Sequence, residues 1–323
     1  MNNLDEIKQL VLSGKKITKE EALSLVDEDV EELSKAANEI RIKYCGNVFD
    51  ICTIINAKSG RCSENCKFCA QSSFYNTNAE SYSLLETKEI VKQAKYNDDR
   101  GVLRYSLVTA GKRLTDDEIE QAVESIKVIK QKTNIEVCIS MGLLNEEQYK
   151  KLKEVGVTRV HNNLETSKNN FINVCTTHTF EDKVKAINAA KSAGLGICSG
   201  GIMGLGETME DRIDMAISLR SLGVKSVPVN MLNPIKGTPF ENNKVLTNND
   251  MRKIVAIFRF ILPDASIRLA GGRGLLEDKG KACFLSGVNA AISGDMLTTS
   301  GISIETDLAM IEELGYKVEL WNE

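Results

Sequence analysis

Short apolar segments alternate with amphipathic segments along most of the chain. Runs of apolar and β-branched residues predict eight strands, at residues 50–56, 103–109, 136–141, 158–163, 196–202, 226–231, 266–270 and 290–294. The segments between them contain helix-start pairs, in which a threonine caps the helix and an acidic residue follows three positions later: Thr115 with Glu118, Thr179 with Asp182, Thr208 with Asp211 and Thr247 with Asp250. Strands that alternate with helices in this way predict an α/β fold of parallel βαβ units.

Eight such units in a chain of 323 residues predict a (β/α)8 TIM-type barrel. An open doubly wound sheet is the alternative. Residues 1–40 precede the first predicted strand, and the apolar stripe from Leu4 to Val11 and the capping pair Thr18 and Glu21 predict two helices there. No low-complexity linker interrupts the alternation. We therefore interpret residues 1–40 as an N-terminal helical cap and residues 41–323 as one barrel domain.

Composition and charge exclude several classes of function. The chain is 42% hydrophobic and 27% charged, which is typical of a soluble globular protein, and its net charge of −4 gives no electrostatic footprint for nucleic acid. The apolar run at 254–262 contains Arg259 and is too short to cross a bilayer. The first residues lack the basic and apolar regions of a signal peptide. We predict a cytoplasmic protein with neither a nucleic-acid nor a membrane partner.

Cysteines carry the clearest chemical signal in the chain. There are nine of them, an odd number, and the reducing cytosol disfavours disulfides, so metal or redox chemistry is the better explanation. Cys62, Cys66 and Cys69 follow the first predicted strand within a stretch of eight residues. Three thiolates can bind three irons of a cubane 4Fe–4S cluster and leave the fourth iron open. Zinc or free thiols are the alternatives, although no second cysteine pair completes a zinc tetrahedron.

This C-x3-C-x2-C loop after the first barrel strand resembles that of the radical S-adenosylmethionine enzymes. The resemblance becomes closer to the biotin synthase family in the segments 60–72, 162–167, 198–208, 227–232 and 267–273. It implies conversion of dethiobiotin to biotin, in which two 5′-deoxyadenosyl radicals from S-adenosylmethionine break two unactivated C–H bonds. An auxiliary iron–sulfur cluster then supplies the sulfur atom. The resemblance also implies an electron donor such as flavodoxin or ferredoxin, and a homodimer.

The resemblance assigns roles to individual residues and implies no protein acid or base. Cys62, Cys66 and Cys69 match the ligands of the 4Fe–4S cluster. The positions that match cofactor-binding residues are Asn163, Glu165, Lys183, Ile202 and Gly204, and those that match substrate-binding residues are Asn163 and Asn230. Glu165 replaces an aspartate of the family pattern. Lys183 replaces an arginine, so it keeps the charge but loses the bidentate fork.

The auxiliary cluster site departs from the family pattern, in which three strand cysteines and an arginine hold a 2Fe–2S cluster. Cys138, Cys198 and Arg268 match three of these positions, but Ser106 stands at the fourth, and a hydroxyl is a poor substitute for a thiolate on iron. We hypothesise that Cys175 compensates. Cys138, Cys175 and Cys198 would then bind a four-iron cluster with an additional sulfide, which Arg268 lines or ligates.

Three alternatives stay open at this point. Cys175 is a packed thiol in the first, and the auxiliary site is then impaired; Cys45, Cys52 and Cys283 are interpreted as packing residues in any case. The second is another radical S-adenosylmethionine enzyme with a different small-molecule substrate, which the segment 227–231 disfavours. The third is a non-enzymatic iron–sulfur scaffold, which leaves the glycine-rich segment 200–206 and the polar groups at the strand ends unexplained.

Overall fold

The computed structural model describes residues 3–321. Its helices are Asn3–Leu12 (α1), Lys19–Ser24 (α2), Val30–Cys45 (α3), Thr87–Asp98 (α4), Asp116–Lys132 (α5), Glu146–Glu154 (α6), Phe171–Val174 (α7), Phe180–Ser192 (α8), Met209–Ser221 (α9), Asn248–Ile261 (α10), Lys281–Phe284 (α11) and Ile304–Glu313 (α12). Its strands are Val48–Lys58 (β1), Arg104–Thr109 (β2), Glu136–Ser140 (β3), Val157–His161 (β4), Gly196–Cys198 (β5), Gly201–Met203 (β6), Ser226–Met231 (β7), Ser266–Leu269 (β8), Ala290–Ser293 (β9) and Lys317–Val318 (β10).

The strands close into a parallel barrel with helices between them. Neighbouring strands pair in the order β1, β2, β3, β4, β5, β7, β8, β9, and β9 pairs again with β1, from Asp50 opposite Ala290 to Thr53 opposite Ser293. The (β/α)8 prediction is therefore confirmed, and the open sheet is wrong. β10 lies outside the ring, where it pairs with the first residues of β1.

The fifth barrel strand differs from its prediction, because the continuous run at 196–202 forms two short strands, β5 and β6. The break allows the loop after β4 to approach the barrel closely. The backbone of Gly200 binds this loop, because its carbonyl accepts the N–H of Glu165 at 3.1 Å. A Cβ on Gly200 would lie 1.9 Å from the Pro228 carbonyl oxygen, and one on Gly201 would lie 2.4 Å from that of Glu165. Only glycine fits at both positions.

The helical segment before the barrel is longer than predicted. It contains α1 and α2, which match the two predicted helices, and a third helix, α3, that continues through residue 40 to Cys45. Asp29 caps α3 by accepting hydrogen bonds from the backbone of Glu31 and Glu32. Leu33, Ala37 and Ile40 form the buried face of α3, which packs against α10. The cap is thus joined to the helical layer of the barrel and does not end at residue 40.

The predicted helix starts agree with the structure. The threonine at each of the four predicted starts caps its helix, and the acidic residue three positions later completes a capping box on α5, α8, α9 and α10. Each of these helices therefore begins at a defined residue, and this determines where the loop that precedes the helix ends. Among residues 3–321, no helix is both long and apolar enough to cross a membrane.

Candidate active site

A cavity of about 380 Å³ opens at the carboxyl ends of the barrel strands and extends between them. Its walls carry side chains from two separate groups of cysteines. Cys62 and Cys69 lie on the loop after β1, and Cys52, Cys138 and Cys198 lie on the strands themselves. This end of a (β/α)8 barrel is where catalytic sites are found.

Local hydrogen bonds hold the cysteine loop in place. Cys62 donates its N–H to the Gln71 carbonyl at 2.9 Å, and its own carbonyl accepts from the N–H of Ser73 at 2.8 Å. Gly60 turns the chain into the loop with a φ of +73°, and a Cβ there would lie 2.8 Å from that of Ser81. Burial raises the pKa of Cys69 to about 11. Iron would reverse this shift, because a metal cation stabilises the thiolate that binds it.

The remaining thiol of the loop, that of Cys66, contacts Cys175. The Sγ atoms of Cys66 and Cys175 are 3.7 Å apart, and the Cys175 sulfur lies 3.3 Å from Nδ1 of His178. That nitrogen is 2.5 Å from a carboxylate oxygen of Glu64. The hydrogen bond with Cys66 is the main cause that lowers the pKa of Cys175, and it raises that of Cys66.

This position corrects the expected grouping of Cys175 with Cys138 and Cys198. α7 ends directly before Cys175, and the carbonyl of its last residue, Val174, accepts the N–H of Lys67 at 2.9 Å. The segment is therefore bound to the cysteine loop and not to the barrel interior. Cys175 is not among the residues that line the cavity, whereas Cys138 and Cys198 are.

The structure brings Cys52 into the place that Cys175 was expected to fill. Cys52 lies on β1, which pairs with β2, and its thiol faces the same cavity as Cys138 and Cys198. Burial raises the pKa of Cys52 to about 12 and also raises that of Cys138. Among residues 3–321, Cys52, Cys138 and Cys198 do not form a group in which all sulfur atoms lie within 4.8 Å of one another. Their sulfur atoms are therefore too widely spaced to bind one ion together.

Buried arginines surround a single carboxylate beside these thiols. Arg268 contacts Asp50 at 2.8 Å and Arg104 contacts it at 2.9 Å, while Arg159 adds its charge nearby. Burial opposes ionisation of Asp50, but the arginines outweigh it and lower the pKa to about 2. The resulting excess of positive charge suits an anionic cluster. Both terminal nitrogens of Arg268 donate to Asp50 or to backbone carbonyls, which makes Arg268 a residue that lines the site.

Ser106 and His161 complete the wall around the strand cysteines. Ser106 lies opposite Cys138 in the sheet register, and its buried Oγ has no hydrogen-bond partner among the described residues. His161 places Nδ1 3.5 Å from the Cys198 sulfur, and burial lowers its pKa to about 4, which keeps the ring neutral. Sequence reasoning missed His161. Its only signal was its position beside Asn162 and Asn163 at the end of a predicted strand.

Three of the predicted cofactor-binding residues lie together at the end of β4. Asn163 accepts the N–H of Gly200 at 3.0 Å and donates to the Glu165 carboxylate at 3.2 Å. Lys183 Nζ lies 4.0 Å from the other oxygen of that carboxylate. Glu165 has a φ of +70°, a left-handed conformation that is rare outside glycine and often marks a functional position. Asn163 and Glu165 both line the cavity.

The remaining predicted residues lie beside them. Ile202 packs with Phe68 on a small buried cluster of Val174, Leu205 and Leu232. Gly204 has a φ of +101° and donates its N–H to Glu207, so its role there is that of backbone. Asn230 lines the cavity, donates to the Gly201 carbonyl at 3.1 Å and accepts from the Gly271 N–H at 2.9 Å. These two bonds fix the orientation of its amide.

The chain is similar to known proteins along nearly its whole length. The radical SAM superfamily matches residues 57–219, and the biotin and thiamin synthesis associated domain matches residues 228–317. A biotin synthase of Brachyspira hyodysenteriae is 60% identical over 98% of this chain and 96% of its own length. The chain belongs to the biotin synthase family. Two further members are a biotin synthase of Clostridium botulinum, 55% identical over 98% of this chain and all of its own length, and biotin synthase 2 of Corynebacterium diphtheriae, 54% identical over 99% and 97%.

Solved structures with the same fold are more distant in sequence. Methylornithine synthase aligns with a TM-score of 0.83 at 22% identity and covers 98% of both chains. A maturase of the FeFe-hydrogenase aligns with a TM-score of 0.81 at 21% identity, over 97% of this chain and 74% of its own. At such identities these likenesses support the barrel fold alone.

Proposed function

We propose that the chain is a sulfurtransferase that converts dethiobiotin to biotin by radical sulfur insertion. The observation that carries this proposal is that two groups of thiols face one cavity, Cys62 and Cys69 from the loop and Cys52, Cys138 and Cys198 from the strands. A substrate between them lies between a source of radicals and a source of sulfur. The C–H bonds of dethiobiotin that react are not acidic, so the reaction requires no general base.

The cysteine loop and the end of β4 form the cofactor part of the site. Cys62, Cys66 and Cys69 are a donor set that fits a 4Fe–4S cluster with one open iron. When bound and reduced, that cluster would supply the electron that cleaves the sulfonium bond of S-adenosylmethionine and releases the 5′-deoxyadenosyl radical. Glu165 would accept hydrogen bonds from the ribose hydroxyls, and Lys183 would pair with the carboxylate of the cofactor.

Apolar and amide groups complete the binding of the cofactor and the substrate. Ile202 and Phe68 offer an apolar surface for the adenine ring, and Gly204 allows the backbone to pass beside it. Asn163 and Asn230 present amides, whose orientation their hydrogen bonds to the backbone fix, to the ureido ring of dethiobiotin. Amide groups suit this ring because it both donates and accepts hydrogen bonds.

For the auxiliary cluster we propose Cys52, Cys138 and Cys198 as the ligands. Soft thiolates suit iron, whereas Ser106 does not, and three thiolates leave one iron of a four-iron cluster free for an additional sulfide. The positive charge of Arg104, Arg159 and Arg268 supports an anionic cluster at this place. Arg268 would line the cluster without binding iron.

Iron counts and Mössbauer spectra test these ligands. In Cys52→Ala we expect loss of the auxiliary cluster and retention of the loop cluster, because only the strand set loses a thiolate. Cys283→Ala, which removes a buried thiol on α11, is the matched control and is expected to keep both clusters. If Cys52→Ala keeps the auxiliary cluster of the wild type, Cys52 is not a ligand.

We further propose that an acidic one-electron carrier, a flavodoxin or a ferredoxin, docks on the outer side of the cysteine loop. A cavity of about 1190 Å³ lies there, and Arg61 and Ser63 line it while Cys62 between them lines the inner cavity. The basic residues of this outer cavity are Lys58, Arg61, Lys112, Arg113 and Lys185, against two acidic ones, Glu146 and Asp182. A carrier of opposite charge would be steered to within a short distance of the cluster.

Cytoplasmic location and a homodimer complete the proposal. All nine cysteines are free thiols, which favours a reducing compartment. The homodimer rests on the family resemblance alone, and light scattering of the loaded enzyme tests it through the mass, which should be twice that of the chain.

An anaerobic assay with reductant, S-adenosylmethionine and dethiobiotin tests the reaction itself. We expect biotin together with 5′-deoxyadenosine. Deoxyadenosine without biotin would favour a radical enzyme with another substrate, and the absence of both products from cluster-loaded enzyme would favour an iron–sulfur scaffold.

A further inference from the structure

Cys66, Cys175 and His178 form a compact group of metal-binding atoms next to the cysteine loop. Their two sulfur atoms and one ring nitrogen all lie within 4.8 Å of one another, and among residues 3–321 this is the one group of three such ligands with that property. Cys175 and His178 are buried. Neither residue has a role in the proposed reaction.

The distances within this group match a single tetrahedral ion. Bonds of about 2.3 Å to sulfur and about 2.0–2.1 Å to nitrogen place two tetrahedral sulfur ligands about 3.8 Å apart, and a sulfur and a nitrogen ligand about 3.5 Å apart. The observed separations are 3.7 Å between the sulfur atoms of Cys66 and Cys175 and 3.3 Å between Cys175 and His178. An ion therefore requires only small movements of these side chains.

Hydrogen bonds from both sides hold the ligands in this arrangement. The side chain of Asn65, next to Cys66, accepts the N–H of Thr176 at 2.9 Å and that of Thr177 at 3.2 Å. The backbone N–H of Asn65 donates to the hydroxyl of Thr177 at 3.1 Å. The cysteine loop and the segment from Cys175 to His178 are thus tied together through polar groups that are not metal ligands, so the ligands are preorganised.

Glu64 supplies negative charge and a candidate fourth ligand. Its Oε2 lies 2.5 Å from Nδ1 of His178 and accepts a hydrogen bond from the Thr177 hydroxyl at 2.8 Å. In the metal-free chain, protons occupy the contacts between these groups. A divalent ion would replace them: any remaining thiol proton is released as the two metal–sulfur bonds form, and the ring proton of His178 leaves Nδ1 for Nε2, so that the Nδ1 lone pair binds the ion.

We propose that the cluster-free chain binds one divalent transition-metal ion, Zn²⁺ or Fe²⁺, through Cys66, Cys175 and His178. This inference rests on the proposed function, because Cys66 is also a ligand of the loop cluster in the loaded enzyme. The ion and the cluster compete for the Cys66 thiolate, so the two states exclude each other. A tightly bound Zn²⁺ therefore delays cluster assembly, whereas an Fe²⁺ ion bound at this site is itself a component of the cluster.

Cobalt binding to the full-length, cluster-free chain under anaerobic, reducing conditions tests the site. We expect one equivalent of Co²⁺ with the ligand-field bands of a tetrahedral centre and a thiolate charge-transfer band, and displacement by one equivalent of Zn²⁺. Cys175→Ala and His178→Gln should each weaken binding by at least about 10-fold, since even outer-sphere partners contribute that much. The matched control Cys283→Ala should bind as the wild type does.

Several outcomes would overturn the proposal. Unchanged Co²⁺ binding in Cys175→Ala would do so. Loss of Co²⁺ binding in the Cys62→Ala, Cys69→Ala double variant, together with retained binding in His178→Gln, would also do so, because the ion would then lie on the loop cysteines. X-ray absorption of the wild-type zinc form requires no variant. A first shell with two sulfur ligands and imidazole scattering supports the site, and a shell of three sulfur ligands excludes it.

The rate of cluster reconstitution separates this inference from the proposed function. Zn²⁺ should slow the appearance of 4Fe–4S absorbance in the wild type and have little effect in Cys175→Ala. A wild-type rate that Zn²⁺ does not change would contradict the competition for Cys66. Failure of the loaded enzyme to form biotin, with cobalt binding intact, would refute the proposed function and leave the ion site standing.

Discussion

Asp50 has no exposed surface and lies where two buried guanidinium groups converge, those of Arg104 and Arg268. A buried ion pair contributes little compared with an apolar pair, but removal of one partner leaves an uncompensated charge and is costly. Asp50 therefore matters because it neutralises part of the positive charge that these arginines concentrate beside the strand cysteines.

Asp50→Asn should lower the free energy of unfolding of the cluster-free chain by about 3–5 kcal/mol at neutral pH. The carboxyl pKa is about 2 in the folded chain against a usual 3.8. The stabilisation by this carboxylate is thus complete at pH values above its pKa in the unfolded chain and is lost as the pH falls through its pKa in the folded chain. Urea unfolding at several pH values measures this. A difference between wild type and variant that does not shrink with acid would refute the assignment.

Glu165 and Lys183 present opposite charges at the end of β4, 4.0 Å apart. Glu165→Gln and Lys183→Gln should each weaken binding of S-adenosylmethionine about 10-fold to 100-fold, since a hydrogen bond to a charged group contributes about 1.5–3 kcal/mol. Calorimetric titration of the loaded enzyme measures it. Lys168→Gln, which removes an exposed lysine paired with Glu181, is the control and should leave affinity unchanged.

At the scale of elements, the break between β5 and β6 positions the site. It lets the carbonyl of Glu165 accept the N–H of Ile202 at 2.9 Å, so the strained turn after β4 is bound to the next barrel strand. The glycines at the break have their effect through the absence of a side chain. The orientation of Asn163 and Glu165 therefore depends on two residues that carry no functional group.

Gly201→Ala should destabilise the chain by about 1–3 kcal/mol, because the added methyl group would meet the Glu165 carbonyl at 2.4 Å. It should also reduce affinity for S-adenosylmethionine, since relief of the clash moves Glu165. Gly274→Ala adds a methyl group whose nearest neighbour, in Ile302, is 3.9 Å away, and serves as the control. Thermal unfolding with calorimetric titration gives both readouts. If the two variants behave alike, the close approach has no such role.

At the scale of the whole molecule, charge is distributed unevenly. The chain has more acidic than basic residues, 45 against 41, yet the outer cavity beside the cysteine loop has the opposite balance. Among the described residues, no carboxylate forms an ion pair with the exposed side chains of Arg61, Lys112, Arg113 or Lys185. Their charge is therefore available to a partner.

Reversal of this charge should slow reduction by the protein donor. We expect the Lys112→Glu, Arg113→Glu double variant to lower the rate of cluster reduction by flavodoxin by about 10-fold at low ionic strength, with a smaller difference as salt increases. Stopped-flow absorbance measures it. The control is the Lys15→Glu, Lys16→Glu double variant, which changes the net charge equally at exposed positions near the start of the chain. An equal loss of reduction rate in this variant would show that net charge, and not the charge of the outer cavity, determines the rate.

Sequence alone was sufficient wherever the information is local. The positions of the eight barrel strands follow from residue periodicity, and four helix starts follow from threonine side chains that bond to the backbone three residues away. The loop cysteines lie within eight residues, so their spacing indicates a shared ligand. The family resemblance indicated the reaction through segments distributed along the chain.

Only the tertiary structure decided which thiols meet. Cys66 and Cys175 are separated by 109 positions, and their contact depends on the packing of α7 against the cysteine loop. Cys52 is one residue in an apolar strand, where every second side chain faces the interior, and barrel closure determines which set does so. Periodicity predicts that a strand forms, but the burial of its two faces depends on neighbours distant in sequence. For that reason the sequence alone places Cys175 with the strand cysteines and predicts a packing role for Cys52.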